Sequence, residues 1–461
     1  MKLIYGIKDK PKFSQVIVFA LQQLLAIMAA TIAVPSIIGH GMSQTAALFG
    51  AGVGTLVYLL FTKFQSPVFL GSSFAFLGSM GAAFAGGVSA QLGYLGLIIG
   101  AASAGLVYVV LAIIVRFVGV NWINKLMPPV VIGPTVAIIG LSLAGNAVSD
   151  LTKGNVMHMV EQEIIQEHAL VIEQAAVQNA SIYVCLICGL VTLAVTMLCS
   201  VFGRKRIKLI PFIMGIVAGY GVAAVFTVIG NVTGMQSLQV INFGLFKNIA
   251  WVPDFTFVTA VKGVSELNAG YVATIVVAYV PVAFVVFAEH IADHKNLSSI
   301  IETDLLKKPG LHRTLLGDGI GSLAGAIFGG CPNTTYGESI GCVAISGNAS
   351  IVTILTTAIL AIVVSFIGPF ATFLATIPSC VMGGVCIALY GFIAVSGLKM
   401  IQDVDLNNNR SLFVVSVILI CGIGNLSVSF GKVTLTSIAC ALILGVLTNV
   451  MLHGGRKRKL Q

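Results

Sequence analysis

The stretch Gly329-Gly330-Cys331-Pro332-Asn333-Thr334-Thr335-Tyr336-Gly337-Glu338 lies between two apolar segments, and no ordinary helix can run through it. Paired glycines and a proline end the preceding run, Thr334-Thr335-Tyr336 favours extended backbone, and helix can resume only after Gly337. A parallel stretch, Ser72-Ser73-Phe74-Ala75-Phe76, sits in an earlier apolar segment. A short extended piece at membrane depth leaves N–H and C=O groups that must face each other, a cavity or a ligand. The half-helices that follow would then start at a central site, offering free N–H donors and partial positive charge near Phe74 and Gly337.

Composition places these segments in lipid. Of 461 residues, 57% are hydrophobic and 9% charged, where soluble domains average roughly one quarter charged. From Ile17 to Phe61 there is no Asp, Glu, Lys or Arg, and such runs reach the ~20 apolar residues that a spanning helix needs. Spans are predicted at residues 13–35, 46–62, 67–86, 92–118, 127–146, 181–202, 208–231, 269–291, 314–330, 335–347, 350–370, 378–397, 410–426 and 433–453. That is about fourteen segments, several of them short.

The formal net charge of +9 does not point to nucleic acid, because the basic residues lie in short clusters beside apolar runs, the positive-inside pattern. With a cytoplasmic N-terminus, Arg204-Lys205-Arg206 to Lys208, Lys295 to Arg313 and Arg456-Lys457-Arg458-Lys459 all fall inside. Segments one to five then occupy residues 1–146, with an external loop at 147–180 that carries Glu161, Glu163, Glu167 and Glu173. Segments six and seven follow at 181–231, a second external loop at 232–268, segments eight to fourteen at 269–453 and a basic cytoplasmic tail at 454–461. Lys2, Lys8, Lys10 and Lys12 precede an apolar run longer than a signal-peptide core, so the first helix is expected to be retained. The nine cysteines all lie in or beside apolar segments without zinc-ligand spacing, and read as small buried side chains.

The chain also repeats itself. Met127-Pro128-Pro129-Val130-Val131-Ile132-Gly133 resembles Ile377-Pro378-Ser379-Cys380-Val381-Met382-Gly383, in the fifth and twelfth spans. The two broken stretches occupy the third and tenth. Two pairs in the same order at near-equal offset imply a unit of about seven segments, and an odd number makes the second copy enter the membrane in the opposite sense.

Acids inside the apolar runs mark the chemistry. Glu338 falls in the first turn after the break, where the helix dipole favours a carboxylate; the bland alternative is a capping acid. Glu289 ends the run Val276 to Ala288, and an intramembrane acid costs several kcal/mol unless it is used or paired. Asp293 is one turn on, with His290 and His294 flanking. A carboxyl whose proton affinity depends on a neighbouring charge and on solvent access can carry the proton of coupled transport. The competing reading makes Asp293, His290 and His294 the start of a cytoplasmic loop. Phe74 and Tyr336, at the breaks, could sandwich a flat heteroaromatic ring. Gly50-Ala51-Gly52-Val53-Gly54 and Gly215 to Gly219 give small-residue faces for helix packing. No phosphate-binding loop and no His-Glu-x-x-His occurs in the sequence, so the chain reads as an ion-coupled transporter, not an enzyme, with no cofactor and no metal.

Ala288-Glu289-His290, the run Asp304 to Arg313 and Pro332-Asn333-Thr334-Thr335-Tyr336-Gly337-Glu338-Ser339-Ile340-Gly341 closely resemble bacterial uracil permeases. These belong to the nucleobase:cation symporters, also called nucleobase-ascorbate transporters. The likeness extends through Gly71-Ser72-Ser73-Phe74-Ala75-Phe76 and the Ile377-Pro378 segment, covering nearly the whole chain. It implies an all-α polytopic membrane protein of fourteen segments in two inverted repeats of seven, with short strands in the third and tenth and a division into core and gate domains. It also implies that Glu289 and Glu338 bind the polar edges of uracil, that the amides of Phe74 and Gly337 meet its carbonyls, and that Tyr336 and Ser73 belong to the same pocket. Two positions depart from some relatives: Gln22-Gln23 stands where they have Gln-His, and Asp293 where they have His.

The expectation is therefore import of uracil with protons across a bacterial cytoplasmic membrane, by a multi-pass protein with both termini inside. The bilayer is its surroundings, nucleic acid is no partner, and a homodimer is open. Purine bases as substrate, sodium as the coupling ion, and an anion exchanger of the same architecture are the alternatives; two acids at the centre would repel a small anion.

Overall fold

The computed structural model describes residues 3–119, 122, 128–166, 169–204, 207, 210–247, 249–402, 404–430 and 433–454. Lys2, Met127, Glu167, Lys205, Arg206, Lys208 and the Arg456-Lys457-Arg458-Lys459 cluster lie outside the described residues. In chain order the elements are α1 (Phe13–Ile38), α2 (Gln44–Phe61), β1 (Leu70–Ser72), a 3-10 turn (Phe74–Phe76) that runs into α3 (Leu77–Ala83), α4 (Ala90–Val118), α5 (Pro129–Ser142) and α6 (Ala144–Asp150). A hairpin of β2 (Met157–Gln166) and β3 (Ala169–Gln178) leads to α7 (Ile182–Phe202), α8 (Pro211–Thr233), a short α9 (Thr256–Ala260), α10 (Ala269–Ile301) and α11 (Leu311–Gly329). Then come β4 (Asn333–Thr335), α12 (Gly337–Ser346), α13 (Ile351–Val364), α14 (Gly368–Thr376), α15 (Ser379–Ile401), α16 (Asn409–Ile423), the β5 (Val428–Phe430) and β6 (Val433–Leu435) hairpin, and α17 (Ser437–Gly454).

Among the described residues, eight helices are long and apolar enough to cross a membrane, or nine if α13 and α14, bent by 85° at their break, count as one span. This is a multi-pass membrane protein. Three of the other expected spans are shorter apolar pieces, Phe74–Ala83, Asn409–Ile423 and Ser437–Leu452, while α11, at 19 residues, is long enough but interrupted by Arg313 and Asp318.

Several boundaries differ from the sequence expectation for physical reasons. The span expected to stop at residue 291 continues as helix to Ile301. Lys295 and Asn296 are exposed there, but Leu297 and Ile301 on the other face pack into a cluster with Tyr58, Leu305, Ile340 and Val343. Burial of one face is enough to carry the helix past a polar pair. The expected external loop at 147–180 contains the β2–β3 hairpin, paired from Met157–Gln178 to Gln166–Ala169.

Helix starts follow local chemistry. Ser43, Ser89 and Asn268 cap α2, α4 and α10 through side-chain oxygens that accept from the N–H groups of Ala46, Leu92 and Tyr271, the usual satisfaction of first-turn donors.

The chain forms two compact units. The larger comprises residues 1–143, 252–367 and 389–461. In it the glycine face of α2 lies directly on α11: a Cβ at Gly50 would come within 2.5 Å of the Gly325 carbonyl, and one at Gly54 within 2.7 Å of that of Gly321. This is the small-residue packing that lets membrane helices touch backbone to backbone. The second unit comprises residues 144–251 and 368–388. There Gly215 and Gly219 of α8 face Thr192 and Thr196 of α7, and Asn155 ties the start of α15, its Nδ2 donating to the Ile377 carbonyl at 2.8 Å. All nine cysteines are free thiols.

Candidate functional site

The two broken stretches meet in the larger unit. β1 and β4 pair antiparallel, with Leu70 opposite Thr335, Gly71 opposite Thr334 and Ser72 opposite Asn333. Beyond the strands, Ser73 N–H donates to the Pro332 carbonyl at 2.9 Å and Tyr336 N–H to that of Phe69 at 3.3 Å. The ribbon thus satisfies much of its own backbone, the condition that lipid would impose on it.

A half-helix leaves each end of this ribbon. Phe74 opens one and Gly337 the other, and first-turn N–H groups have no partner within their helix. Among the described residues no protein acceptor takes the amide of Phe74 or Gly337. Gly337 is exposed, whereas Phe74, Ser73 and Tyr336 are buried. The Tyr336 hydroxyl donates to the Ser72 carbonyl at 2.8 Å, and its ring occupies the space that a Cβ at Gly71 would need. The Phe74 ring meets Tyr390 edge to face at 5.5 Å between centroids.

Three carboxyls cluster beside this ribbon. Glu289 and Asp293 lie four residues apart, on one side of α10, and both are half-buried. Asp293 Oδ2 accepts from Thr335 Oγ1 at 2.7 Å, which ties α10 to β4. Glu289 lies near enough to Asp293 and Glu338 to interact with both charges. Glu338 is half-buried in the first turn of α12, the placement a helix N-terminus favours for a carboxylate. Among the described residues none of the three forms an ion pair.

The two histidines point elsewhere. His290 and His294 are fully buried, and their rings stack at 4.0 Å. His290 meets Asp318 Oδ2 at 2.6 Å through Nδ1 and Thr314 Oγ1 at 3.0 Å through Nε2, both on α11. His294 Nδ1 donates to the His290 carbonyl at 2.8 Å, and its Nε2 meets the Tyr58 hydroxyl of α2 at 2.7 Å. The histidines therefore face α11 and α2, while Asp293 faces β4.

Some neighbours of the cluster escape sequence reading. Thr335 was legible only as a β-prone residue; its hydroxyl partner is 42 residues away. Gln23 donates from Nε2 to Ser339 Oγ at 2.5 Å and to the Ser339 carbonyl at 3.2 Å, beside Glu338. Its signals were a polar pair in the first apolar run and the departure from relatives that have Gln-His there. Asp318, buried and unlike its apolar surroundings, carried such a signal too.

A family model described as "Permease family" matches residues 14–430. The uracil permease of Bacillus subtilis (strain 168) is 37% identical over 463 residues, covering 99% of this chain and 97% of that protein. That of Bacillus caldolyticus is 39% identical over 457 residues, covering 98% and 95%. That of Escherichia coli (strain K12) is 33% identical over 444 residues, covering 96% and 92%. Among solved structures, the transmembrane domain of the cyanobacterial bicarbonate transporter BicA aligns with a TM-score of 0.61 at 16% identity, over 96% of this chain and 100% of that one. The murine Slc26a9 anion transporter in its inward-facing state aligns at 0.63 and 13%, over 97% and 69%. Both structural likenesses concern the fold alone.

Proposed function

Because the chain belongs to the permease family of nucleobase-ascorbate transporters, and is a transporter and not an enzyme, we propose that it imports uracil across the cytoplasmic membrane together with protons. We read its fold as fourteen segments in two inverted repeats of seven, with the paired breaks in the third and tenth at the centre. The observation that carries the reading is the grouping of Glu289, Asp293 and Glu338 beside two half-helices that open at Phe74 and Gly337.

Uracil is flat and presents two carbonyl oxygens and two ring N–H groups. The free amides of Phe74 and Gly337 suit the oxygens, and the carboxyl oxygens of Glu289 and Glu338 suit the N–H groups, since a carboxyl accepts through its carbonyl oxygen whether or not it holds a proton. Phe74 and Tyr336 supply aromatic surface, with Ser73 beside them.

Charge sets the coupling. Three close carboxyls without an ion pair repel one another, so a proton taken up with the substrate lowers the charge that must cross. Glu289 and Asp293 face the ribbon and are the proposed proton carriers. His290 and His294 act on that face through α10. An anion exchanger is disfavoured at this site, because the same three acids would repel a small anion.

Uptake of labelled uracil into proteoliposomes under imposed gradients tests this reading. Accumulation should follow an inward proton gradient, with no response to sodium, and excess unlabelled uracil should compete better than xanthine. Accumulation driven by sodium alone, or of xanthine in preference, would replace it.

A further inference from the structure

Asp318 is a buried acid that the transport chemistry above does not use, and its hydrogen bonds can be counted. Thr314 Oγ1 donates to the Leu311 carbonyl at 3.0 Å. Its one hydrogen is thereby committed, so at its 3.0 Å contact with His290 Nε2 it accepts, and Nε2 carries a hydrogen. One proton then remains between Nδ1 and Asp318 Oδ2, 2.6 Å apart. The other carboxyl oxygen, Oδ1, is buried with no partner among the described residues. An ionised carboxylate would leave that charged oxygen unpaired in a site where the two side chains are 0% and 1% exposed. The proton therefore belongs to Oδ2 and is donated to Nδ1.

The groups around the pair supply no compensating charge. Tyr108 of α4 meets the His290 ring edge-on at 6.1 Å, Thr314 comes from α11, and His294 stacks on His290 while holding Tyr58 of α2. Glu289 and Asp293 share the α10 backbone, and Asp293 is bonded to β4 on another side. Removing the shared proton would set a carboxylate against an imidazole lone pair; adding one would leave a buried cation without a counterion.

We propose that Asp318 and His290 form a neutral, proton-sharing clamp that fixes the rotation of α10, and with it the placement of Glu289 and Asp293, without carrying the transported proton. The functional half of this inference rests on the uracil transport reading. Asp318 is thus a positioning residue. An asparagine in its place offers Nδ2–H where the acid offers its hydrogen and an oxygen where Oδ1 stands, so it keeps the clamp. Alanine does not.

Two measurements test the clamp. In uptake assays at equal amounts of membrane protein, Asp318→Asn should keep the uracil KM within about threefold and the wild-type pH profile, whereas Asp318→Ala should raise KM about tenfold or more. In liposomes, the nitrogen resonances of His290 in 15N-histidine-labelled protein, assigned by their loss in His290→Asn, should stay unchanged between about pH 5.5 and about pH 8. An Asp318→Asn protein that loses gradient-driven accumulation, an Asp318→Ala protein that matches wild type, or a His290 resonance that titrates would each overturn the proposal. Should the wild-type protein take up no uracil, the transport reading fails, and the resonance measurement still decides the clamp.

Discussion

Thr335 gives its hydroxyl hydrogen to Asp293 across 2.7 Å, joining the strand of one broken segment to the helix that carries Glu289. A hydrogen bond to a charged group contributes about 1.5–3 kcal/mol. Thr335→Val should therefore weaken uracil uptake by roughly tenfold to a hundredfold at an unchanged protein level. Asp293→Asn can still accept from Thr335, so it should retain exchange of labelled for unlabelled uracil while losing accumulation against a gradient. Parallel exchange and accumulation assays separate these outcomes, and equal loss of both in Asp293→Asn would remove Asp293 from coupling.

Gly71 lies under the Tyr336 ring, where an added Cβ has no room. Overpacking of this kind costs about 1–3 kcal/mol, and here it must displace either the ring or the β1–β4 ribbon. Gly71→Ala should reduce uracil binding by at least about tenfold in a detergent-solubilised binding assay. Shortening the side chain in Gly71→Ala/Tyr336→Val should recover more of the protein's thermal stability than the single substitution shows. Wild-type binding by Gly71→Ala would contradict the packing.

Gln23 holds the half-helix of Glu338 by two hydrogen bonds to Ser339. Gln23→Leu keeps bulk and removes the donor of both bonds, leaving the buried Ser339 Oγ with the Phe69 N–H at 3.2 Å as its remaining donor. The expected outcome is a uracil KM raised about tenfold, with a smaller change in maximal rate. A change confined to the maximal rate would show that Gln23 serves movement, not binding.

Much of this arrangement is legible in the residues themselves. The glycines, Pro332 and the threonines announce a helix break because each acts on local backbone, and the uncharged run from Ile17 to Phe61 announces membrane because its cause is local too. The continuation of α10 past Lys295 is not legible that way: it depends on Leu297 and Ile301 meeting Leu305 and Ile340. Nor is the direction of His290 and His294. Spacing along one helix places them beside Glu289 and Asp293, but their partners Asp318, Thr314 and Tyr58 come from other helices.

The most direct measurement replaces Glu289 by Gln and follows uracil in proteoliposomes under an inward proton gradient, with the inserted protein quantified. Coupling through Glu289 predicts that accumulation falls to the level of empty liposomes while the protein inserts at the wild-type amount. Wild-type accumulation by Glu289→Gln, still abolished by a protonophore, would contradict it and move the proton to another group.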